Sequence, residues 1–123
     1  MSGDPLGRLI DAIAAGDAEG AREVYAPDAR IWHNTEEREQ SVDENVRVLR
    51  WVTRNVADLR YTDVRRQKTE NGFVQQHVLR GTAPGGAPLE VHACLVVETD
   101  GDRITRLEEY IDGDQIAPLR QRA

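Results

Sequence analysis

The chain has 123 residues, of which 39% are hydrophobic and 31% are charged, and this size and composition are typical of one globular domain. We expect that domain to span residues 1–123. A formal net charge of -6, with Lys and Arg interspersed among acidic residues, argues against a nucleic-acid-binding surface, which needs clustered basic side chains.

Cysteine content and hydropathy indicate in which cellular compartment the protein is expected. Cys94 is the only cysteine, which excludes an intrachain disulfide and a cysteine-based zinc site. The N-terminal sequence MSGDPLGRLI lacks the basic start and apolar run of a signal peptide, and the longest apolar run is the short ACLVV. We therefore expect a cytoplasmic protein that does not enter a membrane.

Two short helices are predicted at the N-terminus. Asp4 followed by Pro5 is typical of a helix start, and apolar residues then recur at helical spacing up to Gly16. Asp17 can cap a second helix, which ends before Pro27.

A strand and a third helix follow. The segment ARIWHN alternates in the manner of a strand. Ser41 and Glu44 form a capping box, which predicts the start of the third helix. Its apolar stripe consists of Val42, Val46, Leu49, Val52 and Val56.

The second half of the chain predicts strands joined by hairpins, with turns at Asn71-Gly72, in APGGAP and at Asp100-Gly101. The final IAPLRQRA has the composition of a polar tail. The predicted order is ααβαββββ. We expect an α+β fold, a cone-shaped roll with three N-terminal helices on a strongly curved, mostly antiparallel sheet and a cavity between the layers.

The hairpins also predict which residues share a face. A turn centred on Asp100-Gly101 places His92 opposite Glu109, which lies between Leu107 and Ile111 on an apolar face. A middle hairpin centred on Gly85-Gly86 adds His77 and Leu79 to the same face as His92. The predicted catalytic residues are therefore Glu109, His92 and His77.

A carboxylate on an apolar face has a raised pKa unless a donor or cation meets it. Glu109 with His92 could then act as base and orienting group, removing a proton next to a carbonyl or activating water. The same pair could instead be a satisfied structural contact, and His77 and Cys94 also have ordinary packing roles. Neither a metal nor a cofactor is required for this chemistry.

The opposite face of the predicted sheet is also apolar. Its predicted members are Val78, Val91, Ala93, Leu95, Val97, Ile104 and Tyr110. Three helices cannot cover both faces, so we expect a homodimer that packs these outer faces together. On this face the register also predicts an ion pair between Arg80 and Asp63.

Three segments, YAPDARIWHN, NGFVQQHVLRGT and DGDRITRLEEYID, resemble the SnoaL-like branch of the nuclear-transport-factor-2-like superfamily. Its members include polyketide cyclases, ketosteroid isomerases, scytalone dehydratases and limonene epoxide hydrolases. The resemblance implies a cone-shaped fold with a deep apolar pocket and, usually, a dimer.

The resemblance also suggests roles for individual residues. Trp32 and Asn34 look like the first-strand Tyr-x-Asn of the epoxide hydrolases, and Glu109 falls where their last-strand Asp lies, but the middle strand HVLR lacks their paired acid. The first helix lacks the Tyr of the ketosteroid isomerases, and His92 falls near the place of their middle-strand acid. This reading points Trp32 and Asn34 inward, whereas alternation with Ile31 favours His33 inside; we follow the resemblance. The expected pocket lining is Trp32, Asn34, Trp51, Leu79, Cys94, Leu107 and Ile111.

The sequence therefore predicts a cofactor-independent acid/base enzyme, of isomerase, cyclase, dehydratase or epoxide-hydrolase type, for a small apolar oxygenated substrate. The alternative is a non-catalytic dimeric binding module for a hydrophobic small molecule. A purely structural domain would require side chains such as Trp32, Trp51 and Tyr25 to fill the cavity.

Overall fold

The computed structural model describes residues 4–120. Its elements, in chain order, are α1 Pro5–Ala14, α2 Ala18–Val24, β1 Tyr25–His33, β2 Arg38–Gln40, α3 Val42–Asn55, β3 Ala57–Lys68, β4 Gly72–Thr82, β5 Pro88–Asp100, β6 Arg103–Ile111 and a C-terminal 3-10 helix Gly113–Arg120. The three predicted helices and five predicted strands are all present.

The helices begin where their capping residues predict. The Asp4 carboxylate accepts a hydrogen bond from the Gly7 backbone N–H at 2.7 Å, and Asp17 accepts from Gly20 at 2.9 Å. Ser41 and Glu44 satisfy each other's backbone donors in a complete capping box. These local bonds fix where each helix starts, because they satisfy amides that have no partner within the helix.

The strands form one curved, open sheet in the order β2-β1-β6-β5-β4-β3. Neighbouring strands are antiparallel except β1 and β6, which run parallel. The α+β class and the approximate element order are confirmed. The sequence analysis missed β2, whose three residues are too few to show alternation; it pairs with the end of β1.

The C-terminal segment is not a polar tail. Residues 113–120 form the 3-10 helix, and Ile116 and Leu119 pack with Val91 and Leu89 of β5. The Gln115 side chain accepts a hydrogen bond from the His92 backbone N–H at 2.8 Å. Apolar residues three apart lie on one side of a 3-10 helix, which explains how this mostly polar segment packs. Residues 121–123 of the predicted tail lie outside the described part of the chain.

The predicted pairing of His92 with Glu109 is wrong, because Glu109 pairs with Leu95. Asp100 pairs with Arg103, so the turn lies one residue later than predicted. The register then shifts between Glu98 and Thr99. This bulge adds a single residue to one strand, and an odd shift turns every following side chain to the other face.

The middle hairpin differs from its prediction by one residue. Pro88 belongs to β5 and pairs with Thr82, which leaves a five-residue loop instead of six. His77 therefore pairs with Ala93, and Leu79 with Val91, rather than with Cys94 and His92. As a result His77 and Leu79 lie on the same face as Glu109, and His92 does not.

The first hairpin turns at residues 70 and 71, before Gly72. A side chain at Gly72 could not fit, because its Cβ would lie 1.9 Å from the Val97 carbonyl oxygen. Arg80 pairs with Arg60 in the register, yet its guanidinium still reaches Asp63 at 3.7 Å. The predicted ion pair forms because Asp63 adopts a positive φ where the register shifts.

The main core lies between the helices and the inner face of β1, β5 and β6. Six of the seven residues predicted to lie on the outer face are buried, and five of them lie on the inner face, namely Val91, Ala93, Leu95, Val97 and Ile104. Four of these five residues belong to β5, and the predicted register assigned them to the wrong face of that strand. Val78 and Tyr110 remain on the outer face. None of the helices within residues 4–120 is long and apolar enough to cross a membrane.

Candidate active site

A cavity of about 190 Å³ lies between α3, the inner face of the sheet and the C-terminal 3-10 helix. Most of its wall is aliphatic. Its polar residues are His33, Thr35, Glu36, Gln40, Asn45, Tyr61 and Glu109. An apolar cavity with a few polar groups is the usual form of a small-molecule site.

Glu109 is the central polar residue of this cavity. Strand alternation on β6 places it on the inner face between Leu107 and Ile111, as the sequence predicts. Burial raises the pKa of the Glu109 carboxyl, because a low-dielectric environment disfavours the charged form. Its side chain keeps 26% of its exposure and lines the cavity. The carboxyl is thus desolvated and still open to a ligand.

His33 is the partner of Glu109. The parallel pairing of β1 with β6 sets the two residues side by side, and His33 Nε2 lies 3.3 Å from Glu109 Oε1. The imidazole lowers the pKa of the carboxyl and so opposes part of the desolvation. The ionisable pair at the wall of this cavity is therefore Glu109 with His33.

Two tyrosines lie within electrostatic reach of Glu109. Burial raises the pKa of Tyr25 and of Tyr61, and the Glu109 carboxylate raises both further. The Tyr25 hydroxyl donates a hydrogen bond to Asn45 at 3.1 Å and belongs to the core. Tyr61 lines the cavity, where its neutral hydroxyl can donate to a bound oxygen atom.

His77 lies on the inner face but outside the cavity wall. Its Nδ1 is 3.0 Å from the Gln75 amide nitrogen, and its ring meets the Tyr61 ring edge-on with centroids 4.8 Å apart. Burial, and then the nearby Arg66 cation, hold the pKa of His77 at about 4. His77 is therefore neutral near pH 7 and positions Tyr61 by contact.

The family model described as SnoaL-like domain matches residues 6–107. The chain belongs to the SnoaL-like domain family. No curated protein matches the sequence.

Solved structures share the fold of this SnoaL-like domain. A protein with a ketosteroid isomerase-like fold from Catenulispora acidiphila, solved in complex with trimethylamine, aligns with a TM-score of 0.82 at 12% identity, covering 94% of this chain and 91% of that chain. A proposed isomerase from Bacillus subtilis gives a TM-score of 0.81 at 13% identity, with coverage of 94% and 89%. A proposed SnoaL-like polyketide cyclase from Shewanella denitrificans gives a TM-score of 0.76 at 16% identity, covering 95% of this chain and 94% of that chain. The predicted family resemblance and fold are thus confirmed.

His92 and Cys94 lie outside the cavity of the SnoaL-like domain. His92 is exposed, and its Nε2 lies 3.3 Å from a carboxylate oxygen of Glu90. Cys94 pairs with Tyr110 on the outer face. Both predictions failed for the same reason, since they depended on the register of β5.

Trp32, Asn34 and Trp51 do not line the cavity either. The Trp32 ring packs against Tyr110 on the outer face, with centroids 5.4 Å apart. Asn34 bonds both backbone groups of Ile111, accepting from its N–H and donating to its carbonyl at 2.9 Å each. Trp51 is 44% exposed on α3. The alternation with Ile31 was the correct guide to β1, because it places His33 inside.

The three remaining predicted lining residues lie on the inner face of the SnoaL-like domain. Leu79 and Ile111 line the cavity, whereas Leu107 is buried in the core beside it. The sequence analysis missed Tyr61 as a site residue, although its alternation with Leu59 was a usable signal. The tryptophans and Tyr25 do not fill the cavity, which weighs against the purely structural alternative.

Proposed function

We propose that this SnoaL-like domain is a cofactor-independent acid/base enzyme of isomerase or cyclase type, acting on a small apolar oxygenated molecule. The observation that carries the proposal is the desolvated Glu109 carboxyl beside His33 at the wall of an apolar cavity. A carboxylate with a raised pKa is a stronger base than an exposed one and also a usable acid near neutral pH.

The proposed step is a proton transfer at a carbon next to a carbonyl group. The Glu109 carboxylate takes the proton, and the electron pair of the C–H bond moves to the carbonyl oxygen as an enolate forms. The Tyr61 hydroxyl donates a hydrogen bond to that oxygen, which stabilises the developing charge. If the ketone carries a β,γ double bond, the protonated Glu109 then returns the proton to the γ-carbon of the dienolate. The double bond moves into conjugation with the carbonyl, which completes an isomerisation without any other reactant.

His33 supports this step by holding Glu109. Its Nε2 lies 3.3 Å from one carboxylate oxygen and leaves the other oxygen for the substrate proton. A base held in one orientation needs no rearrangement before it accepts a proton. His33 is therefore a positioning residue in this proposal.

Hydrogen exchange in deuterated water tests the proposal without knowledge of the natural substrate. The wild type should exchange the protons next to the carbonyl of small cyclic ketones faster than buffer does, with exchange followed by NMR. Glu109→Gln removes the base and keeps the side-chain shape, so exchange should fall by about 10²–10⁴-fold.

Glu108→Gln is the matched control, since Glu108 is the adjacent residue of β6 on the other face and pairs with Arg106. It should retain wild-type exchange. Equal exchange in Glu109→Gln and wild type would remove Glu109 from the mechanism. A ketone that binds to the wild type without any exchange above background would instead favour a non-catalytic binding module.

A further inference from the structure

The same cavity restricts its ligand in both charge and size. We infer that the site takes an uncharged oxygenated molecule of about one six-membered ring with small substituents, and that it rejects anions and multi-ring compounds. This inference rests on the proposed function because it names the substrate class of that site, but binding alone can test it.

The charge restriction follows from the ionisable residues of the wall. Within the described residues, the cavity lining contains two carboxylates, Glu109 inside and the exposed Glu36, and no Lys or Arg. The imidazole of His33 is already in contact with Glu109. An anionic ligand would therefore lie close to a carboxylate, with no free cation among the described lining residues. The repulsion between the two anions would be screened less in this apolar cavity than in water.

The size restriction follows from the volume. An apolar cavity of about 150 Å³ binds benzene. At about 190 Å³, this cavity has room for one ring and a few additional atoms. A ligand with four fused rings would have to leave most of its apolar surface in water, and would lose the burial that drives binding.

The C-terminal 3-10 helix sets part of this limit. Ile116 and Leu119 are half-buried residues that form the cavity wall next to β5. The bond between the Gln115 side chain and the His92 backbone N–H ties this helix to the sheet. Shortening the two apolar side chains should enlarge the cavity without altering Glu109 or His33.

Calorimetric titration of wild type at pH 8 tests the charge limit. The probes are cyclohexanone, cyclohexene oxide and cyclohexanecarboxylate, which share one ring. We expect at least one neutral probe to bind and the carboxylate to bind on the order of 100-fold more weakly than it. Failure of both neutral probes to bind at 10 mM, or equal binding of the carboxylate, would overturn the inference.

The size limit is tested with 2-decalone and androstenedione, which carry two and four fused rings. Both should bind wild type at least about tenfold more weakly than the neutral one-ring probe. Ile116→Ala with Leu119→Ala should improve 2-decalone binding by about tenfold or more, while Val64→Ala, an exposed position away from the cavity, should not. Tight steroid binding to wild type would overturn the size limit, and this measurement does not depend on the folding of any variant.

Binding and turnover fail separately. Glu109→Gln should still bind the neutral one-ring probe, because the apolar wall is unchanged. Binding without hydrogen exchange in wild type would refute the proposed enzyme and leave the ligand class standing. Exchange of a steroid ketone at a rate equal to that of cyclohexanone would support the enzyme and refute the size limit.

Discussion

His33 and His77 lie on the inner face of the sheet in different surroundings, and this difference separates their roles. His33 meets the Glu109 carboxylate and borders the cavity. His77 contacts an amide and an aromatic ring and lies within electrostatic reach of the Arg66 cation, all of which favour a neutral imidazole. Arg66 is in turn held by Asp4 at 3.0 Å and by Gln75 at 2.7 Å. The second histidine therefore supports the site from behind Tyr61.

Acidification should weaken the fold through His77. The folded protein holds the pKa of His77 at about 4, below its ordinary 6.5, so the unfolded chain takes up this proton first. The contribution of His77 to the free energy of unfolding should therefore be fully present above pH 6.5. It should fall as the pH drops towards 4, by at most about 3 kcal/mol. Urea denaturation of wild type and His77→Gln across this range should show a smaller loss in the variant. The exposed His92→Gln is the control, and identical pH profiles for all three proteins would contradict the assignment.

At the scale of the elements, local sequence signals were reliable and register was not. Asp4, Asp17, Ser41 and Glu44 mark helix starts because their bonds involve residues within one turn. Strand pairing instead depends on single-residue bulges and on loop length, neither of which the turn sequences reveal.

One extra residue on β6, Thr105, opposite the step from Glu98 to Thr99, was enough to turn His92 to the face opposite Glu109. The histidine in contact with Glu109 is instead His33. The inward position of Glu109 itself was predictable, because it depends only on alternation along its own strand. His33 required knowledge that β1 lies beside β6, a parallel contact between residues far apart in sequence. The sequence could therefore predict which residues of a single strand face inward, but not which residues of different strands come together in the candidate site.

Asn34 joins β1 and β6, the two strands that carry His33 and Glu109, so its loss should destabilise the pairing of these strands. Its side chain satisfies both backbone groups of Ile111, which follows the end of the β1–β6 pairing. Asn34→Ala leaves a half-buried donor and acceptor unpaired and should lower the free energy of unfolding by about 2 kcal/mol. Asn34→Asp keeps only the acceptor and should lower the free energy of unfolding by less than Asn34→Ala does. Asn55→Ala, which removes an exposed bond to Trp51, is the control in the same urea titration. A loss no greater than that of the control would contradict this role.

For the whole molecule, the outer face of the sheet remains the surface that the fold leaves uncovered. In the observed register most apolar residues of β5 lie in the core, so the outer face is less apolar than the sequence predicted. It still carries Trp32 packed on Tyr110, which is 42% exposed, beside Cys94 and Val96. Aromatic residues with part of their surface exposed are enriched where proteins associate.

We therefore propose that two copies pack through this face, and we expect sedimentation to give twice the chain mass of 13.8 kDa. Tyr110→Arg places a charge in the middle of that contact and should shift the protein to monomer, because burying an unpaired guanidinium costs more than the contact gains. Trp51→Arg makes the same change at an exposed aromatic residue on α3 and should leave the mass unchanged. Both variants should keep the cavity, because neither residue lines it. A wild-type mass of one chain at high micromolar concentration would contradict the dimer and leave the site argument intact, since every group assigned to it comes from a single copy.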